Sequence, residues 1–99
     1  MNREQFQTGL KGKTALVDFG ASWCGPCRAM EPVIQKLKGE YAGRAAILEI
    51  DIDSQRELAT DYMVQSIPTL ILFQDGIEIR RFVGLQSKST IEKSLNAVL

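Results

Sequence analysis

Cys24 and Cys27 are the residues of this sequence whose type and spacing most directly suggest chemistry. They lie three positions apart, after a short apolar segment that predicts a strand and at the start of a stretch with helical periodicity. In the first turn of a helix this spacing brings two sulfur atoms within disulfide range. The unpaired N–H groups and the dipole at that end of a helix favour a thiolate on the first cysteine. We expect Cys24 to be an exposed attacking thiolate and Cys27, deeper in the helix, to resolve the mixed disulfide.

The cysteine pair could also be half of a zinc site, a structural cross-link, or two unrelated buried cysteines. A zinc site needs two further ligands, and the chain has no other cysteine and no histidine. A cross-link that closes a four-residue loop stabilises a fold by only about 2 kcal/mol, and the cytosol would keep it reduced. The redox interpretation therefore accounts best for the pair, and we expect no metal.

The charge balance of the chain argues against some classes of function. Twelve basic and twelve acidic residues give a formal net charge of zero, so no excess charge predicts binding to nucleic acid or to an anionic membrane. Residues 1–13 contain no apolar run typical of a signal peptide, and no later segment is apolar over the length of a membrane span. We expect a monomeric, cytoplasmic protein with a single domain over residues 1–99.

The elements that must position the cysteines follow the predicted order α-β-α-β-α-β-β-α. Apolar segments predict strands at Thr14–Gly20, Ala46–Ile52, Thr69–Phe73 and Ile77–Val83. Asp75-Gly76 between the last two is typical of a hairpin turn. An apolar stripe from Met30 to Tyr41 predicts the long helix. Capping boxes predict where the other helices begin, at Asn2 with Gln5, Ser54 with Glu57, and Ser89 with Glu92. This order favours a mixed sheet covered by helices on both faces.

The segment Trp23-Cys24-Gly25-Pro26-Cys27 resembles the active-site motif of the thioredoxin family over all five positions. The resemblance extends along nearly the whole chain, through segments at the family's spacing: Val17-Asp18-Phe19, Ile67-Pro68-Thr69, Asp75-Gly76 and Gly84. It implies a thioredoxin-like three-layer α/β sandwich. Because the chain starts too late to supply the family's first strand, we expect a four-stranded mixed sheet flanked by four helices.

The resemblance also implies roles for residues around the cysteines. Asp18, a lone carboxylate in an apolar strand, would take the proton from Cys27 as that thiol attacks the mixed disulfide. The alternative is a carboxylate that bonds local backbone or faces water. Pro68 would follow a cis peptide bond, and the Ile67 backbone would hydrogen-bond an extended substrate segment. We expect an apolar collar around Cys24, made of Trp23, Gly25, Pro26, Ile67, Pro68, Val83 and Gly84.

Two positions depart from the family's pattern and are candidates for tuning the redox potential or the substrate preference. Gly20 stands where many thioredoxins carry a tryptophan, and Glu49 stands where many carry a lysine near the buried aspartate. If Glu49 points at Asp18, one of the two carboxyl groups tends to stay protonated. The alternative is that Glu49 lies on an edge strand and is hydrated.

The residues between the cysteines indicate the direction of the chemistry. Gly25-Pro26 supplies no positive charge that would stabilise the thiolate form, so the dithiol should give up its electrons and act as a reductant. The resemblance implies recharging by a thioredoxin reductase, no bound cofactor, and oxidised protein targets such as peroxiredoxins, methionine sulfoxide reductases and ribonucleotide reductase. An oxidase or isomerase and a non-catalytic adaptor that binds through the collar are the alternatives.

Overall fold

The computed structural model describes residues 1–99 and has four helices and four strands in the predicted order. The helices are α1 (Arg3–Gly9), α2 (Gly25–Glu40), α3 (Arg56–Asp61) and α4 (Lys88–Val98). The strands are β1 (Thr14–Gly20), β2 (Ala46–Asp51), β3 (Thr69–Gln74) and β4 (Ile77–Val83). The predicted α/β fold with a four-stranded sheet is confirmed. No helix combines the length and the apolar character that a membrane span requires.

The sheet is mixed, and its strand order is β2-β1-β3-β4. Strand β1 runs parallel to β2 and antiparallel to β3, so it is hydrogen-bonded on both sides. Its five interior residues are all buried, as expected for a strand that is covered on both faces. Strand β2 lies at one edge, and its register places Glu49 directly beside Asp18. The cysteine-bearing helix therefore follows the most protected strand of the sheet.

Alternate residues of the central strands supply two separate cores, one on each face of the sheet. Leu16 of β1 packs with Ile34 and Leu37 of α2 and with Ile91 of α4. Its neighbour Val17 points to the other face. The cluster there also contains buried side chains from α1, α3 and β3: Phe6, Leu58, Ile71 and Phe73. Fully burying one such side chain stabilises the fold by about 1.5–3 kcal/mol. The cluster that contains Leu16 includes three buried side chains of α2 and holds this helix against the sheet.

The hairpin predicted at Asp75-Gly76 is confirmed. Asp75 has φ of 55° and Gly76 has φ of 81°, the positive values that a two-residue type I′ turn requires. The Asp75 carboxylate accepts a hydrogen bond from the Gly12 N–H at 2.6 Å, which ties the turn to the loop before β1. A Cβ atom at Gly76 would lie 2.8 Å from the carbonyl oxygen of Gln7. The turn is thus packed closely against α1, and glycine is the residue that fits there.

The capping box at the start of α1 is confirmed, because Gln5 N–H donates to Asn2 Oδ1 at 2.9 Å and Asn2 N–H donates to Gln5 Oε1 at 3.0 Å. The box predicted at Ser54 with Glu57 is wrong. Helix α3 begins after Gln55 with no side-chain cap, and the Ser54 hydroxyl donates instead to the Asp51 carbonyl oxygen.

The cap predicted at Ser89 with Glu92 is also wrong. Helix α4 begins two residues earlier, and the Ser87 hydroxyl accepts a hydrogen bond from the Thr90 N–H at 3.2 Å. Ser87 has the extended backbone that a capping residue needs, with φ of −75° and ψ of 150°. Residues 87–90 contain three hydroxyl side chains, so the sequence pattern allows more than one N-cap residue. The structure has the first of them, Ser87, as the cap.

Candidate active site

Cys24 and Cys27 form a disulfide at the N-terminus of α2, with their Cα atoms 5.2 Å apart. Cys24 is the N-cap residue of this helix, and its Sγ accepts a hydrogen bond from the Cys27 N–H at 3.2 Å. Pro26 lies in the first turn, where its missing N–H costs no helical hydrogen bond. The sulfur of Cys24 thus occupies the position where the unpaired N–H groups of α2 converge.

The expectation that Cys24 is exposed and Cys27 deeper is wrong for this disulfide form. Cys24 is 6% exposed and Cys27 is 7% exposed, so the two do not differ. The disulfide packs with Ala21 and against Ile67, whose carbonyl oxygen lies 3.9 Å from Cys24 Sγ. The sequence pattern places the cysteines on a helix, but it does not show the loop that folds over them.

That loop carries the Ile67–Pro68 peptide bond, which is cis, as the resemblance implies. The Pro68 carbonyl accepts a hydrogen bond from the Gly84 N–H at 2.8 Å, and Thr69 pairs with Val83 in the sheet. The Ile67 N–H and carbonyl take part in no backbone hydrogen bond. Ile67 therefore presents unpaired backbone groups beside Cys24, where an extended peptide could pair with them.

The apolar collar is brought together around this loop, although its members differ in exposure. Trp23 is 64% exposed and Val83 is 58% exposed. Gly25 and Pro26 are exposed, Ile67 and Gly84 are half-buried, and Pro68 is buried and presents little surface. Leu85, which no motif in the sequence marks, is 59% exposed directly after Gly84 and extends the collar by one residue.

The Trp23 ring is held by Asp53, a residue that the sequence patterns do not single out. The indole Nε1 donates a hydrogen bond to Asp53 Oδ2 at 2.8 Å. Asp53 lies 30 residues along the chain, in the loop between β2 and α3, and no periodic or motif signal connects the two positions. The hydrogen bond fixes the orientation of an exposed aromatic side chain next to the disulfide.

Asp18 is buried beneath the disulfide. The residue is 6% exposed, and its Oδ1 has no hydrogen-bond partner, which rules out the alternative of a carboxylate paired with local backbone at that oxygen. Burial, assisted by the nearby carboxylates of Glu49 and Glu31 and opposed by Lys38, raises the pKa of Asp18 to about 6. A carboxyl group with this pKa can accept and release a proton near neutral pH.

Gly20 lies between this carboxylate and the sulfur of Cys27. A Cβ atom at Gly20 would stand 3.3 Å from Cys27 Sγ and 3.9 Å from Asp18 Oδ1. The strand carries Asp18 and Gly20 on the same face, toward α2, since side chains alternate along a strand. Asp18 and Cys27 therefore border the same small space, which the glycine leaves open.

Glu49 fits parts of both interpretations made from the sequence. It lies on the edge strand, with its side chain 34% exposed, and it also stands beside Asp18. Its carboxylate accepts a hydrogen bond from Lys38 Nζ at 2.6 Å. Burial alone would raise the pKa of Glu49, but the hydrogen bonds of its carboxylate with Lys38 and Glu31, together with the charge of Lys38, outweigh burial and hold the pKa below its usual value. Glu49 is therefore ionised at neutral pH, and α2 supplies its counter-ion.

An open cleft with a volume of about 570 Å³ leads to the underside of the disulfide. The residues that line it include Asp18, Gly20, Cys27, Arg28, Glu31 and Glu49. It lies at the end of β1 and β2 beside the first turns of α2, and neither Ile67 nor Pro68 lines it. No group of three or more histidine, cysteine, aspartate or glutamate side chains in the structure has an arrangement that could hold a metal ion.

Comparison with known proteins identifies relatives along nearly the whole chain. The Thioredoxin family model matches residues 1–97. The chain is 43% identical to a thioredoxin of Staphylococcus epidermidis over 91 residues, which is 92% of this chain and 88% of that protein. It is 44% identical to a thioredoxin of Staphylococcus haemolyticus over 93 residues, 94% of this chain and 86% of that protein. The X-ray structure of Fasciola hepatica thioredoxin superimposes with a TM-score of 0.83 at 32% identity, over 95% of this chain and 88% of that one.

Proposed function

The chain belongs to the thioredoxin family and is a protein-disulfide oxidoreductase, and we propose that its Cys24–Cys27 pair reduces disulfides in other proteins and is recharged by a thioredoxin reductase. The observation that carries the proposal is the position of the pair at the N-cap of α2, where Cys24 Sγ accepts the Cys27 N–H. A thiolate formed at Cys24 keeps that hydrogen bond and the favourable end of the helix dipole.

The reaction proceeds in two exchanges at these sulfur atoms. The Cys24 thiolate attacks one sulfur of a substrate disulfide, forms a mixed disulfide and expels the other substrate sulfur as a thiolate. Cys27 then attacks Cys24 Sγ, which restores the Cys24–Cys27 disulfide and releases the second substrate sulfur. Two electrons pass from the dithiol to the substrate, and the proton lost by Cys27 goes to the Asp18 carboxylate.

Asp18 suits this proton transfer because of its surroundings. Its Oδ1 has no other hydrogen-bond partner, and it borders the space at Gly20 that Cys27 Sγ also borders. With a pKa of about 6, the carboxyl is mostly ionised at neutral pH and accepts a proton more readily than an ordinary aspartate does. Asp18 and Cys27 both line the open cleft, which offers a route by which solvent water can carry that proton away.

Substrate binding uses the loop at Pro68 and the apolar collar. The free N–H and carbonyl of Ile67 are available to pair with an extended segment of the substrate next to Cys24. Trp23, Val83 and the Gly25-Pro26 segment provide exposed surface, largely apolar, around it. Such a surface accepts many oxidised proteins, in keeping with targets of the peroxiredoxin, methionine sulfoxide reductase and ribonucleotide reductase types.

The direction of electron flow follows from the residues beside the thiolate. Neither Gly25 nor Pro26 brings a positive charge to Cys24, so the residues between the cysteines add no stabilisation of the reduced form beyond that from the helix, which favours a reductant. We assign the protein to the cytoplasm, as a monomer without a bound cofactor, because a reductant of this kind needs a reducing compartment and a free active-site surface.

Coupled reduction of insulin tests the proposal. The protein, NADPH and a bacterial thioredoxin reductase are expected to reduce insulin disulfides catalytically, and Cys24→Ser is expected to abolish turnover. Cys27→Ser should trap a mixed disulfide through Cys24, visible by mass spectrometry. A redox titration should place the pair at or below the potential of the cytosolic glutathione pool. A potential well above that pool would favour the oxidase or isomerase, and a partner-dependent activity that survives Cys24→Ser would favour the adaptor.

A further inference from the structure

We propose that Gln86 is a positioning residue that holds the Val83–Leu85 segment of the collar in the conformation that binds protein disulfides. The inference rests on the proposed function and adds to it a residue that acts through the backbone of the collar. It predicts that Gln86 matters for the reduction of protein disulfides, which contact the collar. The reduction of small disulfides, which reach Cys24 without the collar, should not depend on it.

The Val83–Leu85 segment has little backbone support of its own. Val83 ends β4, which is an edge strand, and the chain leaves the sheet at Gly84 with φ of 85°. The Gly84 N–H donates to the Pro68 carbonyl at 2.8 Å, and this is the only hydrogen bond between backbone groups that Gly84 or Leu85 makes. The side chains of Val83 and Leu85 are 58% and 59% exposed, so packing holds them only in part. A mobile surface must be ordered when a partner binds, and this ordering weakens binding.

The side chain of Gln86 supplies the missing support. Its Nε2 donates hydrogen bonds to the carbonyl oxygen of Val83 at 3.1 Å and to that of Gly84 at 3.4 Å. These carbonyls belong to the two peptide groups on either side of Gly84. Glycine has the widest choice of backbone conformation, so hydrogen bonds to both of its peptide groups restrict the segment where it is most flexible.

The backbone of Gln86 joins the same segment to the helix that carries the cysteines. Its N–H donates to the Sδ atom of Met30 at 3.5 Å. Met30 lies three residues after Cys27 in α2 and is 1% exposed, so the core fixes its position. The next residue, Ser87, caps α4. Gln86 therefore connects the collar to α2 and α4, and keeps the exposed apolar side chains of the segment in one place relative to Cys24.

Gln86 is placed to act on binding rather than on the sulfur chemistry. It makes no hydrogen bond to Cys24 or Cys27, and an amide carries no charge that would stabilise a thiolate. Releasing its hydrogen bonds therefore leaves the redox potential of the pair unchanged. A protein disulfide still has to lie against the collar, and its attack by Cys24 becomes slower because a mobile segment must first be ordered. A small disulfide makes too few contacts with the collar to be affected.

Gln86→Met tests the role, because it removes both side-chain hydrogen bonds and keeps the length of the side chain. Gln74→Met is the matched control: Gln74 Nε2 also donates to a backbone carbonyl, that of Val98 at 3.2 Å, but lies beside the hairpin turn at the far end of β3 from Pro68. Each protein is reduced beforehand, and its oxidation by insulin and by the small, neutral hydroxyethyl disulfide is followed in a single turnover. We expect Gln86→Met to lower the rate constant with insulin by about threefold or more. Its rate constant with the small disulfide and its redox potential should not change, and Gln74→Met should change none of the three. Equal losses with both disulfides, a shifted potential or an unchanged rate with insulin would overturn the proposal.

Amide hydrogen exchange shows whether the segment is released. The Gly84 amide should exchange about fivefold or more faster in Gln86→Met, because its hydrogen bond to Pro68 opens more often. Met30→Leu removes the sulfur acceptor of the Gln86 N–H with little change in volume, so it should act in the same direction on exchange and on the insulin rate. Unchanged Gly84 exchange and an unchanged insulin rate in Met30→Leu would contradict the proposal even if Gln86→Met does not fold. If the unsubstituted protein does not reduce insulin, the proposed function fails; if it does and the variants match it, only the role of Gln86 fails.

Discussion

Lys38 Nζ lies 2.6 Å from Glu49 Oε2, so the last turn of α2 is joined to the edge strand of the sheet. Glu49 in turn stands beside Asp18 in the strand register. The Lys38 ammonium thus compensates the charge of the Glu49 carboxylate close to Asp18, whose protonation matters for the cysteines. Three charged groups act on the pKa of Asp18: Glu49 and Glu31 raise it, and Lys38 lowers it.

The ion pair between Lys38 and Glu49 predicts that two substitutions shift the pKa of Asp18 in opposite directions. Glu49→Gln removes a negative charge near Asp18 and leaves Lys38 without its partner, so the pKa of Asp18 should fall. Lys38→Met removes the positive charge, so the pKa of Asp18 should rise above about 6. The chemical shift of the Asp18 carboxyl carbon, followed by NMR against pH in the oxidised protein, measures the pKa in each variant. A change of the Asp18 pKa in the same direction in both variants would show that Glu49 and Lys38 do not act through charge.

Asp18→Asn should stabilise the protein at neutral pH. The pKa of Asp18 is about 6 in the folded chain and 3.8 as an ordinary aspartate, so the folded state binds more protons between these values and stability falls as pH rises through that range. Asparagine removes this loss, which amounts to about 3 kcal/mol above pH 7. Urea unfolding at pH 8 should show the gain, and unfolding near pH 3 should show almost none. An equal gain in stability at pH 8 and near pH 3 would show that the effect of Asp18→Asn comes from packing rather than from the charge.

The hydrogen bond between Trp23 and Asp53 predicts an effect on substrate binding. Asp53→Ala frees an exposed indole ring, so the KM for a protein disulfide should rise several-fold while kcat changes little. Trp23→Phe keeps a ring but removes the N–H, and adding Asp53→Ala to it should have little further effect, as a double-mutant cycle measures. Trp23 is the only tryptophan, so its fluorescence anisotropy reports the released ring directly. Additive effects on KM would show that Asp53 acts elsewhere.

Gly76 and Gly43 form a matched pair for testing the hairpin turn. Both have positive φ, 81° and 80°, but a Cβ at Gly76 would lie 2.8 Å from a backbone carbonyl oxygen whereas one at Gly43 would meet nothing within 4 Å. Gly43→Ala should cost about 1 kcal/mol for the left-handed backbone alone. Gly76→Ala should cost more than about 2 kcal/mol, because the carbonyl of α1 must also move. Equal losses in urea unfolding would show that the contact with α1 is relaxed easily.

The course of the chain was predictable wherever a local pattern decides it. Thr14–Gly20 and Ile77–Val83 are strands with the predicted bounds, because an apolar run ends at a glycine or follows a turn dipeptide. The α1 cap was also predictable, since the side chains of Asn2 and Gln5 each accept a hydrogen bond from the backbone N–H of the other. Where neighbouring residues compete for one role, as Ser87 and Ser89 do, the pattern permits more than one answer and only the packed chain selects between them.

The chemical setting of the cysteines was less predictable, because it depends on contacts between distant residues. The pair and its helix follow from spacing, but its burial depends on Ile67, 43 residues from Cys24. Asp53 and Lys38 each act through one hydrogen bond to a side chain on another element, and neither belongs to a motif. The absence of a side chain at Gly20 is visible in the sequence, whereas the cleft that it opens is not.

The separation of the apolar interior into two halves has a consequence for the local opening of this protein. Leu16 and Val17 are adjacent along β1, yet one supports α2 and α4 and the other supports α1 and α3. Leu16→Ala should therefore accelerate amide hydrogen exchange mainly in the helices on its own side, and Val17→Ala mainly in those on the opposite side. The helix that holds the disulfide rests on the Leu16 side, and Ile52, which packs both against the disulfide and against the cluster on the opposite face, links the sulfur atoms to the other half of the interior.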